Sequence, residues 1–92
     1  MNLQQAISEI INAIPTDFYF DSHFIIEQLI KNYSDEYIRF VSIYSGSSDP
    51  TLTAHSQLGH EISRNLSIQQ AGKSISSNIH QNISECTLFK KL

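Results

Sequence analysis

The sequence predicts an α+β domain, mostly helical, with three to four helices followed by a C-terminal β-hairpin. Three observations carry that expectation. Apolar residues recur at helical spacing through most of the first two thirds of the chain. The run "SGSSDP" at 45–50 breaks the pattern and sets off one last helix. After Leu66 the period shortens to the alternation of strands.

Each element has its own signals. Leu3, Ala6, Ile7, Ile10, Ile11 and Ile14 fall on one helical stripe, with Asn2 as the N-cap and Pro15 ending the helix near Ala13. "TDFYFDS" reads as an extended aromatic segment or a very short strand. Asp21 or Ser22 then caps a second helix through Tyr33, with Phe24, Ile25, Ile26, Leu29 and Ile30 on its buried side. Ser34 is expected to cap a third, "DEYIRFVSIY", whose Asp35 and Glu36 suit the positive end of the helix dipole. Pro50 fits the first turn of the fourth, where Thr51, Ala54, Leu58, Ile62 and Asn65 cluster on one side. In the hairpin, Ile75, Ser77 and Ile79 share a face, Cys86 and Leu88 alternate with Thr87 and Phe89, and Gly72 marks a turn or bulge.

Ninety-two residues make one domain, near the lower end of what folds without metals or disulfides. The single cysteine, Cys86, points to a reducing compartment, and with no signal-peptide pattern at "MNLQQAISEII" the expected location is the cytoplasm. No apolar run approaches the length of a membrane span. The net charge of −3 is uneven. Residues 1–49 hold two basic against seven acidic side chains, and residues 50–92 hold four against two. An anionic partner would therefore meet the C-terminal half.

The order of elements from Ser34 onward, "SDEYIRFVSIY", a short loop, "TAHSQLGHEISRNL" and a glycine-bearing hairpin, resembles the winged helix-turn-helix superfamily. It is similar in particular to the winged-helix module that closes many phage- and poxvirus-type primase–helicases. The likeness covers residues 34–91 and rests on spacing; residues 1–33 lie outside it as an N-terminal helical extension. It implies that the fourth helix reads double-stranded DNA and that the hairpin is the wing. Two departures stand out: the wing offers only Lys73, Lys90 and Lys91, and no ATPase or primase residues are present.

On that reading Thr53, Ser56, Gln57, His60 and Arg64 form the exposed flank of the recognition helix, and Lys73, Lys90 and Lys91 touch the phosphate backbone. The competing reading makes this flank the solvated side of an ordinary helix. The chain is then a protein-interaction or dimerisation module of the same shape. Six basic residues are a thin supply for gripping phosphates. The isoleucine stripe of residues 3–14 is core packing or, alternatively, a homodimer interface.

No catalytic role, cofactor or small-molecule substrate is expected, since P-loop, HExxH and nucleophile-elbow patterns are missing. His55 and His60 lie too far apart around a helix to share a metal ion, and His23 with Glu27 offers only two ligands. His80 and Cys86 can approach across the hairpin, but an inward cysteine is more often a small core residue.

Overall fold

Asn2 opens the first helix, α1 (Leu3–Asn12), in the computed structural model, which describes residues 1–92. Its side chain accepts the Gln5 amide at 2.8 Å, and the Gln5 side chain accepts the Asn2 amide at 2.8 Å. This reciprocal capping box satisfies two amides that the first turn leaves unpaired. Ala6, Ile7, Ile10 and Ile11 are buried along the predicted stripe. The chain turns at Asp17, in the left-handed region at φ 70°, and enters β1 (Tyr19–Asp21).

The Asp21 carboxylate then accepts the Phe24 amide at 2.9 Å and caps α2 (Ser22–Asn32). Ile25, Ile26 and Leu29 are buried as the pattern requires, whereas Phe24 lies open at the rim. The third helix, α3 (Ser34–Ser42), departs from expectation. Ser34 is its first residue rather than its cap; Tyr33 takes the cap position and makes no side-chain capping bond. No residue of α3 is fully buried, so the helix rests on the domain through Tyr37 and Phe40.

Asp49 caps α4 (Pro50–Ser63) by accepting the Leu52 amide at 3.1 Å, with Pro50 at its first position. Ala54, Leu58 and Ile62 are wholly buried. Two long strands follow, β2 (Ile68–Ser77) and β3 (Ile83–Lys91), with a bulge at Ala71 before Gly72, whose φ of +117° suits glycine. The stretch "IQQAG" forms the first half of β2. The sheet is antiparallel in the order β1-β3-β2, so β3 is central. Phe20 of β1 pairs with Phe89 of β3, and their rings stack 5.7 Å apart.

The observed class is α+β and mostly helical, with C-terminal strands, as the sequence predicts. One core spans both the expected N-terminal extension, residues 1–33, and residues 34–91. Residues 1–33 supply Ala6, Ile7, Ile10, Ile11, Phe20, Ile25, Ile26 and Leu29 to the core, against Leu58, Ile62, Ile68 and Phe89 from the remainder. Each of the isoleucine, leucine and phenylalanine side chains contributes about 1.5–3 kcal/mol when fully buried, so residues 34–91 would lose most of their apolar contacts without the first 33. The isoleucines Ile7, Ile10 and Ile11 of the N-terminal helix pack inside their own chain, which is the core-packing alternative for that stripe rather than the homodimer one.

Candidate functional site

Burial of Ala54, Leu58 and Ile62 fixes how α4 rolls on the core, and that roll decides what it presents. Ser56, Gln57, His60 and Arg64 are exposed. Thr53 is half-buried and its hydroxyl is 3.1 Å from that of Ser47 in the preceding loop. His55 is half-buried too, with Nε2 2.8 Å from the Tyr37 hydroxyl, which ties α4 to α3. A cleft of about 590 Å³ separates this side of α4 from the hairpin, with Ser56, His55, His23, Lys73, His80 and Cys86 among its walls.

The hairpin side of the cleft is polar. The His23 ring lies between two serines, with Nδ1 2.7 Å from Ser76 Oγ and Nε2 3.3 Å from Ser84 Oγ. Ser76 Oγ also lies 3.8 Å from Cys86 Sγ, and the Ser74 hydroxyl donates to the Asp21 carboxylate at 3.2 Å. At the tip, the Asn78 amide group donates to Ser84 Oγ at 3.3 Å, while its side-chain oxygen accepts the His80 and Asn82 backbone amides. These bonds join the start of α2 to both strands.

Electrostatics follow the packing. Burial favours a neutral Asp21, but the Phe24 amide, the Ser76 and Ser74 hydroxyls and nearby His23 outweigh it and hold the carboxyl below its usual range. Burial, reinforced by the charges of His80 and His23, pushes His55 below the ordinary imidazole value. Burial raises the Tyr37 phenol. No three His, Cys, Asp or Glu side chains gather in a way that holds a metal ion, and His23 is turned to serines while Glu27 pairs with Lys31 at 2.8 Å.

The basic residues do not converge. Arg64 caps the end of α4 and lies 3.4 Å from the Glu61 carboxylate, which Gln4 also contacts. Lys73 is exposed on β2, opposite Thr87. Lys90 pairs with Tyr19 of β1 in the sheet, and its ammonium is 3.6 Å from Asp17. Lys91 is buried; its ammonium donates to the carbonyls of Ile11 at 2.9 Å and Ile14 at 3.1 Å. It therefore faces the C-terminus of α1 rather than a phosphate. Ser56 and Lys73 share the cleft, while Lys90 and Lys91 belong to the opposite end of the hairpin.

The half-buried side of the hairpin was legible only in part. Ser74 and Ser76, like Ser84 and Cys86, alternate in the sequence, but nothing local says that serines rather than Ile75 turn inward. His23 is the missing partner, and it lies 53 positions from Ser76. Compared with protein-family models, curated proteins and solved structures, the chain matches none. No helix is long and apolar enough to cross a membrane.

Proposed function

We propose that this chain is a non-enzymatic protein-interaction module of winged-helix shape, with the outward side of the β2–β3 hairpin as its contact surface. The shape is supported by the β1-β3-β2 sheet and by the helix that precedes the hairpin. The contact surface is supported by one inversion. Ile75 and Ile83 are 74% and 75% exposed, while Ser74, Ser76 and Ser84 on the other side of the same strands are half-buried.

That inversion is costly for the isolated chain. A one-residue change of register would turn the isoleucines inward and the serines outward. Each isoleucine left in water forgoes about 1.5–3 kcal/mol of burial. The His23 and Asp21 hydrogen bonds fix the polar side toward the body, so the apolar side is kept for contact with something outside it.

A second reading, double-stranded DNA binding, draws on the exposed Ser56, Gln57 and His60 of α4 with Lys73 across the cleft. Against it stands the fate of the cations. Lys31, Arg39, Arg64 and Lys90 each have a carboxylate partner and Lys91 is buried, which leaves Lys73 alone both exposed and unpaired. Exposed pairs of this kind are weak and can open, yet their charge is already offset locally.

Fluorescence anisotropy of a labelled random duplex separates the two. The interaction reading predicts no rise at micromolar protein in low salt. Saturable binding that weakens as salt is added, and that is lost in Arg64→Ala or Lys73→Ala without a fall in melting temperature, would establish the DNA reading instead.

A further inference from the structure

Strand β2 is an edge of the sheet over its ten residues. In an antiparallel pair, alternate residues bond across the ladder and the others turn their backbone groups away. Asn78 N–H donates to Asn82 C=O at 2.9 Å, in the register that aligns Ser76 with Ser84 and Ser74 with Cys86. Ser74 and Ser76 therefore bond to β3, and the N–H and C=O groups of Lys73, Ile75 and Ser77 face the open edge.

Edge strands ordinarily carry devices that block further pairing: charges, proline, bulges or short length. Here the bulge lies at Ala71, outside the stretch 73–77, and that stretch holds no proline and one charge, Lys73. Ile75 is at its centre. Ile83 is its diagonal neighbour on the same exposed side, because Ile75 aligns with Glu85 and Ser77 with Ile83.

We infer that this edge pairs with the same edge of a second copy of the chain, antiparallel about a twofold axis at Ile75. This deepens the interaction reading above and rests on it. The register follows from the sequence of the strand. With Ile75 opposite Ile75 of the second copy, Lys73 falls opposite Ser77, so the one charge of the stretch never meets its own image. Lys73, Ile75 and Ser77 of each copy then exchange about six backbone hydrogen bonds. The two isoleucines form a cross-strand pair, and the aliphatic stem of each Lys73 lies along the partner's Ser77 toward Ile83. The contact is isologous and closes after two copies, as a twofold requires.

The test is sedimentation velocity from low micromolar to several hundred micromolar protein, with amide exchange at both ends of the range. The expected mass rises from one chain toward two. The amides of Lys73, Ile75 and Ser77 gain protection with concentration, while those of Ser74 and Ser76 are protected throughout. Ile75→Lys, which sets two ammonium groups face to face, keeps the mass at one chain with an unchanged circular dichroism spectrum. Ser77→Glu, which sets a carboxylate opposite Lys73 twice per dimer, tightens association roughly twofold to tenfold. A mass of one chain at every concentration overturns the second copy as occupant, as does a dimer insensitive to both substitutions. Neither result bears on the duplex titration, so the failure of this inference and that of the interaction reading remain distinct.

Discussion

Lys91 Nζ donates to the Ile11 carbonyl at 2.9 Å and to that of Ile14 at 3.1 Å, so the penultimate residue of the chain closes the C-terminus of its first helix. The last turn of a helix leaves carbonyls without partners, and a cation there also suits the dipole. The aliphatic stem is buried with its head group satisfied. Lys91→Met keeps the stem and orphans the carbonyls, at an expected cost of about 1–3 kcal/mol. Thermal unfolding checks it, with a fall of several degrees expected for a domain of this size. No effect on stability would return Lys91 to the surface.

His23 joins the two strands to α2 through Ser76 and Ser84. Each ring nitrogen has a serine hydroxyl within reach, and a hydroxyl can donate or accept. His23→Ala leaves both hydroxyls without that partner and is expected to destabilise by about 1–3 kcal/mol. Native-state hydrogen exchange locates the loss: faster exchange at Ser74, Ser76 and Cys86, with Ile10 and Ile11 in α1 much less affected.

His55 supplies a pH dependence with a definite sign. Burial and the neighbouring His80 and His23 hold its folded pKa below the ordinary 6.5, so the unfolded chain takes up the proton first. Its contribution is fully present above 6.5 and is lost as pH falls below that value toward the folded pKa. The lowered Asp21 carboxyl acts further down: its contribution is present above 3.8 and is lost as pH falls through its folded pKa. Urea midpoints between about pH 7.5 and 5.5 should therefore decline with acid. His55→Phe, which keeps the ring and cannot titrate, should flatten that decline.

Ile75→Ser combined with Ile83→Ser should leave the stability of the single chain within about 0.5 kcal/mol, because neither side chain packs on the body. Phe89→Ala, in the next stretch of the same hairpin, should cost about 3–5 kcal/mol, since its ring is wholly buried against Phe20. The contrast in chemical denaturation at low protein concentration separates a surface kept for contact from a surface needed for folding.

The helices were legible because their signals are local. Asn2, Asp21 and Pro50 sit where caps and first turns belong, and the apolar spacing of α1, α2 and α4 matches the buried positions. Ser34 misled because Tyr33 already occupies the cap position between α2 and α3. The role of residues 1–33 was hidden, since their partners Leu58, Ile62 and Phe89 lie far along the chain. Lys91 read as a surface cation for the same reason: two carbonyls about eighty positions away claim it. The hairpin was visible as alternation, but alternation does not say which side faces in. That choice is made by His23 and Asp21, which no spacing within the hairpin announces.

Two-dimensional NOE spectroscopy of the single chain measures that choice. Cross-peaks are expected from the His23 ring protons to the β protons of Ser76 and Ser84, with the Ile75 and Ile83 methyls showing none to side chains of α2. Strong contacts from the Ile75 methyls to His23 or Ile26, with the serines in water, would contradict the account.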